Sequence, residues 1–275
     1  MAATKRTRKP RRQPSHRRRS PQRTDAEPDD RLLHDPGSRR PLASLVFLSP
    51  LLAFYALGLI WVRPDLAARA DLFLRQGLAP LGVTGILAPT WLVVAVLLVW
   101  HLARRDPWHV RGTVLGRMVA ETLLLTVPLL LLLVLTRAVF SGPALALPAA
   151  AAAPAPTSPA AGPDWLALAM TSIGAGIYEE LLFRLLMVGG TLWLARKALG
   201  RESPGVTVAV VLIAAGIFAG AHTLDNPSRF AWGSFLFRSA AGTYLGYVLV
   251  QRGFGVAAGV HIVFDLVVKF APALR

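Results

Sequence analysis

Between Leu42 and Val62 the chain carries no charged side chain and closes on an aromatic, Trp61. As a helix rising about 1.5 Å per residue, that run is about as long as the hydrocarbon core of a bilayer is thick. Six further apolar runs follow: Gly85–Ala103, Val114–Phe140, Trp165–Ala198, Val206–His222, Phe230–Val250 and Phe254–Phe270. A water-soluble domain must cover its surface with polar groups, and this chain of 275 residues is 54% hydrophobic and only 16% charged, with a mean hydropathy of +0.49. Lipid is the solvent that such a surplus requires. The sequence therefore predicts an all-α fold, a polytopic membrane helix bundle with about seven transmembrane helices. In the sixth run, Gly233, Ala240, Ala241, Gly242 and Gly246 suit close helix–helix contact.

The charge that remains is unevenly spread. Residues 1–40 hold 13 Lys and Arg against five acids, interleaved with Pro and Ser and without an aromatic residue. Such a segment cannot bury a core, so residues 1–40 are expected to be a disordered basic cytoplasmic tail that sets topology and touches anionic lipid, with no nucleic-acid partner. Residues 41–163 are expected to hold the first transmembrane helices and an uncharged Ala/Pro-rich loop, 141–163. If seven spans alternate, the tail, the Arg104–Arg111 loop, the Arg196/Lys197/Arg201 loop and Arg252 share one side. Lys/Arg bias makes that side cytoplasmic, with the N-terminus inside and the C-terminus outside. The first apolar run starts only at Leu42 and is long enough to span, so no signal peptide is expected. The high Ala, Leu and Arg content suggests a bacterial, GC-rich source, hence a bacterial cytoplasmic membrane.

Ionisable groups inside apolar spans are costly and are candidates for function. Three clusters occur, all in the last hundred residues. In Glu179-Glu180-x-x-x-Arg184, Glu180 and Arg184 stand four apart and can pair on one helical face. Adjacent residues point about 100° apart, so the two glutamates are not expected to serve one site equally. Glu179 is left without a helical partner and is a candidate general base. Phe218-x-x-x-His222 closes the fifth run. His261-x-x-x-Asp265 lies on one face of the last, where the carboxylate can fix the imidazole tautomer. With no cysteine in the chain, thiol nucleophiles and disulfides are excluded. Ser172, Ser234 and Ser239 have no base at motif spacing. Water is thus the expected nucleophile, and carboxylates, imidazoles and a guanidinium are the groups that activate water and stabilise an oxyanion. Two His and a Glu would also suit zinc with a water in the fourth position, although no HExxH motif occurs.

The order and spacing of these clusters resemble the CPBP family of intramembrane proteases, which includes type II CAAX prenyl endopeptidases and the bacterial Abi proteins. Its signatures EExxxR, FxxxH and HxxxN/D read here Glu179-Glu180-Leu-Leu-Phe-Arg184, Phe218-Ala-Gly-Ala-His222 and His261-Ile-Val-Phe-Asp265. The resemblance implies that residues 164–275 form a catalytic helical core. It implies a glutamic-type intramembrane endopeptidase without a cofactor, in which Glu179 and His222 activate water. His261 and Asp265 would form the oxyanion site, and Glu180 and Arg184 would support them. Many members carry Asn where this chain has Asp265. A carboxylate cannot donate to an oxyanion, so Asp265 is either protonated or orients His261. The implied partners are the bilayer and a membrane-embedded or membrane-anchored protein or peptide. Its processing would be C-terminal anchor or CAAX-like cleavage, sortase-like trimming or peptide maturation. Two alternatives stand beside this reading: a non-catalytic immunity or scaffold protein of the same fold, and a zinc-dependent intramembrane metalloprotease.

Overall fold

The structure, a computed structural model, describes residues 37–140, 164–200, 203–224 and 230–273. The basic tail up to residue 36 and the 141–163 loop lie outside the described residues. Among those described there is no strand, and the chain is a polytopic all-α bundle. Helix α1 covers Pro41–Trp61, α2 Arg69–Leu78, α3 Ala88–Arg104 and α4 Gly112–Val139, with single 3-10 turns at Pro64–Leu66 and Ala79–Leu81. A continuous 34-residue helix, Trp165–Ala198, follows. It is built from α5 (Trp165–Glu179), a π-helical segment (Glu180–Gly189) and α6 (Gly190–Leu199). The last three helices are α7 (Pro204–Leu224), α8 (Trp232–Arg252) and α9 (Phe254–Ala273).

Five helical stretches are long and apolar enough to cross a membrane: Pro41–Trp61, Gly112–Val139, Trp165–Ala198, Pro204–Thr223 and Phe254–Ala271. Every one of the seven predicted runs is helical, but two do not reach that standard. Ala88–Arg104 is only 17 residues long, and α8 is diluted by Ser234, Arg238, Ser239, Thr243 and Gln251. The end of the predicted tail is ordered. Gly37–Arg40 form a turn into α1, and the Arg39 guanidinium donates to the Gln251 carbonyl at 2.6 Å. There Gly253 takes φ +90°, and a Cβ on it would lie 3.0 Å from the Arg39 Cα, so this crossing favours glycine.

Burial is unequal among the spans. In Trp165–Ala198 and in Phe254–Ala271, 61% of the most apolar stretch is buried, against 28% in α4 and in α7. On α4 the side chains of Leu124, Val134 and Leu135 are exposed although the helix is strongly apolar, as expected of a surface solvated by lipid. Helix α9 is central and packs against α5, α4, α8, α1 and the π segment. Its approach to α5 is set by a missing side chain. A Cβ on Gly176 would fall 2.9 Å from the backbone nitrogen of Ile262. Without packing of this closeness, the two helices could not bring Glu179 and Glu180 beside His261.

The entry to α5 is fixed electrostatically. Asp164 accepts from the Ala167 N–H at 2.9 Å as the N-cap, and Arg63, just beyond α1, pairs with Asp164 at 2.7 Å and with Asp65 at 2.9 Å. The bond from Ala167, and then Arg63, holds the Asp164 carboxyl below the usual aspartate range. A lowered carboxyl stabilises the folded state fully above its ordinary value, and the contribution disappears as pH falls through the lowered one.

Two outcomes are expected. Gly176→Ala should force α5 and α9 apart and lower the thermal midpoint of detergent-solubilised protein, whereas Gly190→Ala, at a position with open space, should not. Thermal unfolding followed from neutral pH down to about pH 3 should show an acid-side loss of stability that Asp164→Asn reduces.

Candidate functional site

Glu179 is the last residue of α5, and Glu180 opens the π segment. Here the backbone bonds reach one residue further than in an α-helix, a distortion that recurs at functional sites. The two carboxylates leave the helix in different directions, yet both meet His261. Glu180 Oε1 accepts from His261 Nδ1 at 2.8 Å, while Glu179 Oε2 lies 3.8 Å from His261 Nε2. The two glutamates thus meet one imidazole unequally, Glu180 by a short hydrogen bond and Glu179 across a wider gap. The two nitrogens of an imidazole face opposite ways, and one ring can serve two carboxylates that approach from either side.

Glu180 is fully buried and also faces Arg184, whose Nη1 lies 3.1 Å away. The Arg184 guanidinium, 2% exposed, lies 4.1 Å above the ring of Phe218. A buried cation is tolerable when it is both paired and stacked. The same Phe218 ring meets His222 edge-on, with centroids 4.6 Å apart. This residue is thus the physical link between Arg184 and His222, a part that sequence reasoning did not assign to it.

His222 reaches the site on the last turn of α7, and His261 on the third turn of α9. Nδ1 of His222 donates to the Phe218 carbonyl at 2.9 Å. Its Nε2 lies 3.6 Å from Glu179 Oε1. Each Glu179 oxygen therefore faces one imidazole Nε2, at 3.6 and 3.8 Å. These gaps exceed a direct hydrogen bond and suit polar groups that share a bridging water. With both Nδ1 atoms committed as donors, a neutral ring presents its Nε2 lone pair to the centre. A water there can donate to Glu179 and to a neutral His222, while a His261 ring that carries both protons presents its Nε2–H to the same centre. Glu179 and His222 are partly accessible, at 14% and 25% side-chain exposure.

Asp265 stands apart from the part expected of it. Its Oδ1 is 3.9 Å from His261 Nε2, and its Oδ2 accepts from Lys269 Nζ at 2.8 Å. The orientation of His261 comes from Glu180 across the helix interface rather than from Asp265 along the same helix. Lys269 was missed, although an isolated lysine four residues beyond Asp265 in an apolar run is itself a signal. Among the described residues no group of three His, Asp or Glu side chains is arranged to hold a metal ion.

The buried Glu180–Arg184 pair yields a stability prediction. Arg184→Met leaves a buried carboxylate short of its cation and should destabilise by about 3–5 kcal/mol, read as a lower unfolding midpoint in detergent. Glu180→Gln/Arg184→Met should recover part of the loss, and wild-type melting by Arg184→Met would contradict the pairing.

Residues 161–267, which contain all of these side chains except Lys269, match the family model for type II CAAX prenyl endopeptidase Rce1-like proteins. No curated protein and no solved structure matches the chain.

Proposed function

We propose that the chain is an intramembrane endopeptidase that uses glutamate-activated water, a reading supported by the match of residues 161–267 to the type II CAAX prenyl endopeptidase Rce1-like family model and by five helices fit to span a membrane. The observation that carries this reading is the gap between Glu179 and the two imidazole Nε2 atoms, 3.6 and 3.8 Å, which leaves room for one water that donates to Glu179 and to His222.

The reaction follows from those positions. Glu179 accepts a proton from the water, while the Nε2 lone pair of His222 accepts a hydrogen bond from its other hydrogen and aims the oxygen. The hydroxide oxygen adds to the scissile carbonyl carbon, and the carbonyl electrons move to the oxygen. His261 can donate from Nε2 to that oxyanion only when its ring carries both protons, because Nδ1 already donates to Glu180. Collapse breaks the C–N bond, and Glu179 returns its proton to the departing amine. Arg184 and Glu180 hold His261 in place, and Asp265 flanks it. No metal takes part.

The substrate proposed is a membrane-embedded or membrane-anchored protein or peptide, cleaved in C-terminal anchor or CAAX-like processing, sortase-like trimming or peptide maturation. The N-terminus is proposed to be cytoplasmic in a bacterial membrane, since Arg104, Arg105, Arg111, Arg196, Lys197 and Arg252 cluster at helix ends assigned to one side.

The test is substrate-independent. Membrane fractions from cells carrying wild type or Glu179→Gln are compared for new peptide termini. The amide substitution keeps size and removes the base, so termini present with wild type should fall to background, with equal protein levels and a precursor that persists. Undiminished termini would refute the protease reading and favour a scaffold. Addition of a chelator should leave wild-type cleavage unchanged; loss restored by zinc would overturn the metal-free mechanism.

A further inference from the structure

His261 Nε2 lies between two carboxylates, Glu179 Oε2 at 3.8 Å and Asp265 Oδ1 at 3.9 Å, and neither closes to a hydrogen bond. For Glu179 this gap leaves room for water. For Asp265 it needs a cause, since an aspartate one helical turn from an imidazole has the reach to bond to it. That cause is Lys269, one turn further along α9, whose Nζ donates to Asp265 Oδ2 at 2.8 Å. The two side chains are 7% and 19% exposed, so the bond is little screened by solvent. An ammonium buried in an apolar bundle is costly, and an apolar pair of similar volume would serve packing as well or better.

We propose that Lys269 is a positioning residue for the hydrolytic centre: by tethering Asp265 through its Oδ2, it keeps that carboxylate off His261 and leaves the Nε2 donor free for the oxyanion. Without the tether, Asp265 rotates toward His261, takes up Nε2–H in a charge-assisted bond, and removes one oxyanion donor. The effect passes through Asp265, so it depends on the identity of that side chain. This inference rests on the reading of the site as hydrolytic.

The experiment compares wild type, Lys269→Met, Lys269→Arg and the double variant Asp265→Asn/Lys269→Met. Full-length protein labelled with 15N-histidine is observed by NMR in detergent, and the termini lost in Glu179→Gln are counted in membrane fractions. In Lys269→Met the His261 Nε2–H resonance should shift downfield, and the termini should fall about 100-fold, the size of losing one oxyanion donor. Lys269→Arg should retain both wild-type values. The double variant lacks both the tether and the competing charge, and should recover both signals. A pair that serves stability alone would lower the yield of folded Lys269→Met protein and leave the resonance in place, which overturns the proposal. Wild-type cleavage by Lys269→Met, or a double variant as inactive as the single, overturns it as well. If Glu179→Gln keeps its termini, the protease reading falls, and the His261 resonance still decides whether Lys269 holds Asp265 away.

Discussion

The bond from His261 to Glu180 is the interaction on which the rest of the site depends. It joins the π segment to α9 through two buried side chains, and it commits His261 Nδ1 as a donor. Once that nitrogen is used, the other must face Glu179. The same Glu180 oxygen lies beside Arg184, whose guanidinium rests on Phe218, and the Phe218 carbonyl holds His222. The orientation of both imidazoles can therefore be traced to one fully buried carboxylate. In a low-dielectric interior such a network is strong when complete and costly when broken, and this places the burden of stability beside the burden of chemistry.

Much of this was legible in the sequence, for reasons specific to membranes. Charge inside an apolar run is rare, so Glu179, Glu180, Arg184, His222, His261 and Asp265 stood out against their surroundings without any knowledge of the fold. Helical spacing also announced the Glu180–Arg184 pair. What spacing could not announce is contact between helices. The sharing of His261 by two adjacent glutamates and the stacking of Arg184 on Phe218 depend on the packing of α5 and the π segment against α7 and α9. The same limit applies to Asp265: periodicity related it to His261, whereas Lys269, at the same spacing on its other side, holds the stronger claim. The span pattern was less certain where hydropathy was diluted, in α8, or where the run was short, in α3.

Gly176 connects the fold to this chemistry. The helix that carries Glu179 and the helix that carries His261 approach so closely that a methyl group would not fit between the Gly176 Cα and the Ile262 backbone. Small residues serve this purpose where lipid offers no hydrophobic drive for helix association, and dispersion contacts take its place. The approach of Glu179 and His261 is thus set by the absence of an atom three residues before Glu179.

The π segment carries a different consequence. Its wider turns absorb residues that a regular helix would have distributed along its axis, so Glu180–Gly189 behaves as a phase setter between the glutamate-bearing part of the long helix and its basic end at Arg196 and Lys197. Deleting one residue within it would let the backbone relax toward ordinary winding, turning one end by about 100° relative to the other. A chain shorter by a single residue at this point would present different side chains to the bilayer beyond it while keeping the same pair of glutamates at its start.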